Sequence, residues 1–437
     1  MQPGIERTAG YHEAADHPFF YWYHAAPEAE PRDLVAVVCG PIGSEYTRSH
    51  RSLRHLADRL AQGGIPALRF DYHGTGNSPG TDLDPGRVDA WLANIRAACE
   101  HAKRLSGRAR VCLIGLRLGG TLAAVASREI DPALLVLWNA PAKGRPYLRE
   151  LQAVAALAAR SANSDGTLEA AGGVLTAETL EHLRALDLTA APPRAGRVLL
   201  VSRDDMAADA SLEAPLNAAG IEFDTMALPG WNGMMADHQF TVVPDEALTR
   251  IVEWAQNGCQ TPAPVRAAEM AISESATVSD TSLPVVERVC RFGADAHLFG
   301  ILSRTSDDAD KPAVLIFNGG AVHHVGPNRV YVTLARHLAS MGFACLRFDL
   351  EGIGDSVLRK PGRENHPYPE HAIADARAAM DFLRERYGYR RFIAMGLCSG
   401  AHTAFHTALA LEDDSIEELV LINPFAFYWK EGMSLDV

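Results

Sequence analysis

A short glycine-bounded segment near the C-terminus holds a residue that could act as a nucleophile. Residues Met395 to Ala401 read MGLCSGA, after the apolar run RRFIA and before the helix-like stretch HTAFHTALAL. A nucleophile at the centre of two glycines, on a sharp strand-to-helix turn, is the arrangement of a nucleophile elbow. Cys398 stands at that centre. The N-terminus of a following helix lowers a thiol pKa, which favours the attacking thiolate.

An earlier segment has the same form but a different central residue. RVCLIGLRLGG, Arg110 to Gly120, aligns with RFIAMGLCSGA and places Arg117 where Cys398 stands. Arginine stays protonated near neutral pH, so it is neither a nucleophile nor a base. We therefore expect no hydrolysis at this elbow. Arg117 is expected either to pair with Asp205 or with an anionic ligand, or to be solvated.

The two segments belong to a longer internal repeat. LADRLAQGGIPALRFD, Leu56 to Asp71, matches LARHLASMGFACLRFD, Leu334 to Asp349, at nine of sixteen positions without a gap. A Gly-x-Gly-x-Ser turn follows each copy, GTGNS and GIGDS. The two copies are 278 residues apart, which is the length of a whole domain. The chain is therefore interpreted as a tandem duplication.

Each copy alternates short apolar runs with amphipathic stretches, as buried strands and helices do. This predicts an α/β fold of two doubly wound, mostly parallel sheets, each preceded by a β-hairpin. We assign residues 1–258 to the first domain and 284–437 to the N-terminal part of a second, incomplete at its C-terminus. Residues 259–283, rich in Ala, Ser, Thr and Pro, are assigned to a linker.

The segment LRFD-x-x-G-x-G-x-S ahead of an elbow resembles the α/β-hydrolase superfamily, most closely its serine aminopeptidase-like branch. The resemblance implies that the amides of Gly320 and Ser399 form an oxyanion hole. In the first copy it implies an acid at Asp205, or Asp204, and a histidine at His238, in the superfamily's chain order. The first domain is then a pseudo-hydrolase that kept these triad remnants and lost its nucleophile at Arg117.

The second copy has a nucleophile, but only 14 residues follow Asn423, so the acid strand and the histidine loop of the first copy have no counterpart before Val437. We expect that the chain is a fragment and that a histidine beyond Val437 deprotonates Cys398. Two alternatives stay open. The second copy is naturally truncated and inactive, or Cys398 shares one triad with His238 and Asp205.

Composition excludes several other classes of function. The net charge of -13 and a pI near 5.7 argue against nucleic-acid or anionic-membrane partners. There is no signal-like N-terminus and no membrane-length apolar run, so we expect a cytoplasmic protein. Seven cysteines without a CxxC pair give no zinc or disulfide framework, and no cofactor or metal is implied. His402 and His406 are four residues apart, but no third ligand is evident.

These observations predict a hydrolase or acyltransferase that uses Cys398 to attack an ester, thioester or amide of a small-molecule acyl substrate. Most cysteines are simply buried, but few stand at the centre of an elbow. The alternative is a non-catalytic tandem pseudo-hydrolase that binds a small ligand or a partner protein. His323 and His324 are expected to line the pocket mouth or to lie in a polar loop.

Overall fold

The computed structural model describes residues 5–13, 17–27, 32–157, 166–170, 172–259, 272–279, 281–305, 310–411 and 415–424. Contacts divide the chain into two compact units. The first unit is Met1–Ala236 with Thr241–Ser273, and the second is Glu274–Val437 with the short segment Asp237–Phe240.

The first unit is built on one eight-stranded sheet and a small two-stranded sheet. Its strands are β1 (Arg7–His12), β2 (Phe19–His24), β3 (Leu34–Cys39), β4 (Ala67–Phe70), β5 (Arg110–Leu116), β6 (Leu134–Trp138), β7 (Leu168–Ala170), β8 (Gly173–Leu175), β9 (Arg197–Arg203) and β10 (Glu222–Leu228). The large sheet has the order β1-β2-β4-β3-β5-β6-β9-β10, and β7 pairs with β8. From β4 to β10 the large sheet is parallel, while β1, β2 and β4 pair antiparallel.

Helices cover both faces of this sheet. They are α1 (Gly43–Gln62), α2 (Arg87–Ser106), α3 (Leu118–Ile130), α4 (Gly144–Leu157), α5 (Ala177–Ala185), α6 (Glu213–Ala218), α7 (Trp231–Met234) and α8 (Asp245–Asn257). Neighbouring residues of β3 point to opposite faces, as in any strand. Val37 packs in the same core as Trp91 of α2, and Val38 in the same core as Leu56 of α1. This two-sided burial explains why β3 reads as a continuous apolar run.

The second unit repeats this arrangement with seven strands and three α-helices among its described residues. The strands are β11 (Ser275–Val278), β12 (Val285–Phe292), β13 (Leu298–Arg304), β14 (Ala313–Phe317), β15 (Cys345–Asp349), β16 (Phe392–Leu397) and β17 (Ile416–Ile422), and the helices are α9 (Val330–Ser340), α10 (Ala372–Tyr387) and α11 (Ser399–Ala410). The sheet order is β11-β12-β13-β15-β14-β16-β17. The segment β13-β15-β14-β16-β17 has the same order as β2-β4-β3-β5-β6, which agrees with the predicted α/β fold.

Both predicted hairpins form, since β1 pairs with β2 and β12 with β13, each antiparallel. The C-terminal part of the expected linker differs from the prediction. Ser275–Val278 is strand β11 and pairs antiparallel with β12. Its small and β-branched residues suit an edge strand, although composition alone assigned them to a linker. Residues 260–271 of that linker lie outside the described residues.

Candidate active site

Cys398 lies between the end of β16 and the first residue of α11, on a strained turn. Its backbone has φ 56° and ψ -114°. A side chain at positive φ costs on the order of 1–3 kcal/mol and persists only where the surroundings impose it. Here the Cys398 N–H donates to the Ile422 carbonyl of β17 at 3.0 Å, and the Ala401 N–H donates to the Cys398 carbonyl at 3.1 Å. The thiol is half-buried, unlike most other cysteines of the chain.

The glycines on either side of Cys398 are required by close backbone packing. A Cβ added to Gly396 would lie 2.0 Å from the carbonyl carbon of Gly400. A Cβ added to Gly400 would lie 2.7 Å from the carbonyl oxygens of Phe317 and Asn318 at the end of β14. The first turn of α11 therefore sits directly against the sheet, which explains the glycine spacing found in the sequence.

Of the two amides expected to form an oxyanion hole, those of Gly320 and Ser399, the first already has a hydrogen-bond partner within the protein. The Gly320 N–H donates to the Ser399 Oγ at 2.8 Å, so one of the two is already hydrogen-bonded within the protein. Ser399 is buried, and its hydroxyl reaches the loop after β14. The Ser399 N–H belongs to the first turn of α11, whose amides have no partner within the helix. Rotation of the Ser399 hydroxyl would release the Gly320 amide.

Two tyrosines lie near the thiol, and one of them contacts His402. Burial raises the pKa of Tyr368 and that of Tyr331. The nearby Cys398 raises both pKa values further. The rings of Tyr368 and His402 meet edge to face at 5.0 Å. Burial and the neighbouring His406 lower the pKa of His402 to about 4. An imidazole with so low a pKa is a poor general base near neutral pH.

The Asp-x-x-Gly-x-Gly-x-Ser segment proves to be a structural support for the loops of this region. Asp349, at the end of β15, accepts hydrogen bonds from Asn318 Nδ2 at 3.0 Å and from the Asp355 N–H at 3.0 Å. The Ser356 hydroxyl donates to the Asp349 carbonyl at 2.6 Å and accepts the Phe299 N–H at 2.9 Å. This segment therefore connects β13, β14 and β15 and is not a second set of reactive groups.

The two histidines after β14 lie in a loop, as one of the two expectations had it, but this loop is not exposed. His323 and His324 are both buried, at 3% and 1% exposure. His324 Nδ1 donates to Asp349 Oδ2 at 2.7 Å. Asp349 thus holds the loop that carries Gly320.

In the first unit, Arg117 occupies the equivalent elbow with nearly the same backbone, φ 53° and ψ -127°. Its guanidinium is buried and contacts Glu45 Oε1 and Glu150 Oε1, each at 2.6 Å. It also lies over the rings of Tyr147 and Trp231, at 5.5 and 6.0 Å from their centroids. Glu45 belongs to α1, and Glu150 and Tyr147 to α4. Both glutamates are distant from Arg117 in sequence, and no motif marks them.

Asp205 does not pair with Arg117, contrary to one of the expected arrangements. It follows the end of β9 and accepts two hydrogen bonds from Arg203, at 2.6 and 2.7 Å. Asn232 Nδ2 donates to it at 2.8 Å. The hydrogen bonds from Arg203 chiefly lower the pKa of Asp205 to about 2. Asp205 is exposed and acts as the partner of Arg203, while Asp204 is also exposed.

His238 begins a short 3-10 helix, His238–Phe240, and is half-buried. The segment Asp237–Phe240 belongs to the second compact unit by its contacts, although it precedes α8 in sequence. The side-chain amide of Asn365 donates to the His238 carbonyl. A catalytic role for His238 stays a prediction.

The family of the chain follows from a sequence comparison. The family model described as serine aminopeptidase, S33, matches residues 29–183 and 308–435, together well over half of the chain. The chain therefore belongs to this family, within the α/β-hydrolase superfamily. At the level of the family this indicates a hydrolase. Among curated proteins, none matches the sequence significantly.

Several solved structures are similar over slightly more than half of the chain. Est1E from Butyrivibrio proteoclasticus is 19% identical, with a TM-score of 0.39, over 57% of this chain and 96% of its own. Proline iminopeptidase from Mycobacterium smegmatis is 15% identical, with a TM-score of 0.38, over 57% and 98%. The thioesterase domain from the curacin biosynthetic pathway is 15% identical, with a TM-score of 0.37, over 58% and 99%. At these scores we transfer no activity from them.

None of the described helices combines the length and the apolar character that crossing a membrane requires. The cytoplasmic location stays a prediction.

Proposed function

We propose that the second unit is an acyl hydrolase or acyltransferase that acts through the Cys398 thiolate on an ester, thioester or amide. The observation that carries the proposal is the placement of Cys398 at positive φ, at the N-terminus of α11. This is the position at which an elbow presents a nucleophile. Membership of the serine aminopeptidase family supports a hydrolytic reaction.

In the proposed reaction the Cys398 sulfur attacks the carbonyl carbon of the substrate. A carbon–sulfur bond forms, and the carbonyl oxygen becomes an oxyanion that the Ser399 amide and the released Gly320 amide stabilise. The bond to the leaving group then breaks, and the leaving group takes up the proton that the thiol lost. Water, an alcohol or an amine attacks the resulting thioester, which restores the thiolate.

Three histidines are candidates for the base that deprotonates Cys398. His402 lies one helical turn after Cys398, but its pKa of about 4 makes it a weak proton acceptor. His238 lies in the same compact unit as Cys398 by its contacts, so it is a candidate that an experiment can address. A histidine outside the given sequence is the third candidate.

We propose a different role for the first unit, which keeps the elbow without a nucleophile. Arg117 fills the elbow together with Glu45 and Glu150, and Tyr147 closes it from α4. A substrate carbonyl would have to displace two ion pairs to approach this position. This supports a pseudo-hydrolase.

The first unit also contains a cavity of about 180 Å³ at the ends of β6, β9 and β10, lined among others by Asn139, Ser202 and Thr225. Ligand pockets are usually larger, on the order of 300–1,000 Å³. The cavity therefore gives little support to the alternative of a small-ligand binding protein.

The test is p-nitrophenyl ester hydrolysis by the full native protein. We expect Cys398→Ala to lose at least about a hundredfold in kcat/KM, because it removes the atom that attacks. Cys259→Ala is the matched control, since Cys259 is also half-buried and lies outside the elbow. Mass spectrometry should find the acyl adduct on the peptide that contains Cys398. Equal rates in wild type, Cys398→Ala and Cys398→Ser would refute the thiol mechanism.

A second series of variants addresses the base and the first unit. His238→Gln should abolish turnover if His238 is the base, and an unchanged rate would assign the base to another histidine. Arg117→Ser in a Cys398→Ala background should remain inactive, because Asp205 stays bound to Arg203. Measurable turnover in that double variant would contradict the pseudo-hydrolase assignment.

A further inference from the structure

A buried cluster of His297, Glu351 and Asp375 lies in the second unit and has no role in the proposed reaction. One ligand-type atom from each residue lies within 4.8 Å of the other two. His297 precedes β13, Glu351 follows β15, and Asp375 lies in the first turn of α10. The cluster thus connects three elements that are distant in sequence.

His297 is oriented towards the two carboxylates by a hydrogen bond on its other side. Its Nδ1 donates to the Ala294 carbonyl at 2.7 Å, which leaves Nε2 as the free ring position. Nε2 is 3.5 Å from Glu351 Oε2 and 3.8 Å from Asp375 Oδ1. Both distances exceed a hydrogen bond, and within the described residues Nε2 has no hydrogen-bond partner. The His297 side chain is only 6% exposed.

These separations match the spacing of ligands around a first-row divalent cation. Zinc bonds of about 2.1 Å at tetrahedral corners place neighbouring ligand atoms about 3.4 Å apart. A histidine that donates through one nitrogen to a backbone carbonyl, and offers the other to a metal, is the usual metal-site arrangement. Imidazole and carboxylate oxygen together suit zinc and its neighbours in the first transition row.

Outer contacts hold both carboxylates in place. Arg359 Nε donates to Glu351 Oε2 at 2.9 Å and balances one of the two negative charges. His371 Nδ1 lies 3.0 Å from Asp375 Oδ2, the oxygen that does not face His297. Arg359 and His371 are partly exposed, whereas the two carboxylates that they contact are buried.

The first unit makes one backbone contact of Asp375 with a neutral side chain. Asp375 Oδ2 accepts the N–H of Glu351 at 2.9 Å. At the equivalent position of the first unit, Asn94 Oδ1 accepts the N–H of His73 at 2.8 Å. A neutral amide therefore makes the same backbone contact. The negative charge of Asp375, directed at His297, is an addition of the second unit.

We propose that His297 Nε2, Glu351 Oε2 and Asp375 Oδ1 bind one divalent transition-metal ion of the zinc type. The ion ties the start of β13, the loop after β15 and the start of α10 together, and it leaves a fourth position for water. Its binding is independent of the thiol chemistry proposed for Cys398.

The experiment is calorimetric titration of the full chain with ZnCl₂ after removal of metals with EDTA, together with the absorption spectrum of the Co²⁺-loaded protein. We expect one saturable site lost by His297→Gln, and at least about a tenfold weaker affinity in Asp375→Asn. Asp375→Asn keeps the contact that Asn94 makes, so it should fold. Its metal-free melting curve, compared with that of wild type, checks this. The double variant His402→Gln/His406→Gln is the control, because it removes the other candidate chelating pair.

Three results would overturn the proposal. One is the absence of saturable zinc binding to the wild-type chain. The second is wild-type affinity in both His297→Gln and Asp375→Asn. The third is loss of zinc only in the His402→Gln/His406→Gln control. None of these results bears on the thiol mechanism, which the esterase assay of the Cys398 variants tests separately.

Discussion

Replacing Glu287 by Gln is expected to destabilise the second unit strongly. The Glu287 carboxylate is fully buried and contacts Arg336 at 2.7 Å and Arg347 at 2.9 Å. The Ser303 hydroxyl donates to it at 2.9 Å. Both guanidinium groups are also almost completely buried. Glu287→Gln preserves the shape of the side chain but removes the negative charge that both buried guanidinium groups contact.

The expected magnitude follows from the burial of the cluster. Breaking a buried ion pair by removing one partner costs about 3–5 kcal/mol, because the remaining charge stays desolvated. For a unit of this size each kcal/mol lowers Tm by roughly 2–4 °C, so the variant should melt about 6–20 °C below wild type. Differential scanning calorimetry measures the transition of the second unit.

The matched control is Glu417→Gln, the same chemical change on β17 of the same unit. Glu417 lies 3.4 Å from Arg391, and both side chains are well exposed. Such a surface pair contributes about 0–1 kcal/mol. If Glu287→Gln and Glu417→Gln lowered the melting temperature equally, the reasoning about the buried cluster would be refuted.

The dependence on pH gives an independent check. Burial alone would raise the pKa of the Glu287 carboxyl, but Arg336 and Arg347 outweigh burial and hold that pKa well below its usual range. The stabilisation is therefore complete above the unfolded value of about 4.5 and is lost as pH falls below it. The difference in stability between wild type and Glu287→Gln should stay constant near neutral pH and shrink in acid.

Three shorter predictions concern the elbow and its neighbours. Iodoacetamide should label Cys398 before Cys259, because burial raises the pKa of Cys259 to about 11; peptide mass spectrometry checks this, and earlier labelling of Cys259 would contradict it. An NMR titration of His402 should give a midpoint near pH 4, and a midpoint near 6.5 would show that burial and His406 do not depress its pKa. Gly396→Ala should cost more than about 3 kcal/mol, because its Cβ would lie 2.0 Å from a backbone carbon of α11; chemical denaturation measures this, and a near-wild-type stability would refute the close packing.

The sequence was sufficient for the order of the elements and for the elbow positions. Continuous apolar runs such as LVAVVC predict strands buried on both faces, and β3 is one. The glycines around Cys398 and Arg117 locate the strand-to-helix turns, because only glycine permits that backbone approach. These signals are local, so they can be read without knowledge of the tertiary structure.

Contacts between distant residues could not be predicted in the same way. Arg117 meets Glu45 and Glu150 only because α1 and α4 both reach the elbow. The Gly320 amide is hydrogen-bonded by Ser399 because the serine hydroxyl adopts one of several rotamers, which no spacing determines. The assignment of Asp205 as a catalytic acid likewise depends on its partners, and the sequence does not specify them.

The buried ion pairs next to the two hairpins illustrate the same limit. Arg7 of β1 donates to Asp58 of α1 at 2.8 Å, while Glu287 of β12 accepts from Arg336 of α9 at 2.7 Å. Arg7 and Glu287 occupy matching register positions in their sheets. The two copies thus use the same location with opposite charges. A comparison of the copies residue by residue would score both positions as mismatches, although the interaction is maintained.

The two elbows have nearly the same backbone, so a reactive side chain can be gained or lost at this position without a change of the main chain. Arg117 holds the same left-handed conformation as Cys398, although arginine performs no attack. The cost of that conformation is therefore imposed by the junction of strand and helix, and the side chain at its centre, a thiol in one copy and a guanidinium in the other, decides whether the turn presents a nucleophile. A single codon change at such a position can exchange a reactive group for an inert one with the main chain left in place. A nucleophile can thus be lost or regained at this position during evolution while the fold stays the same.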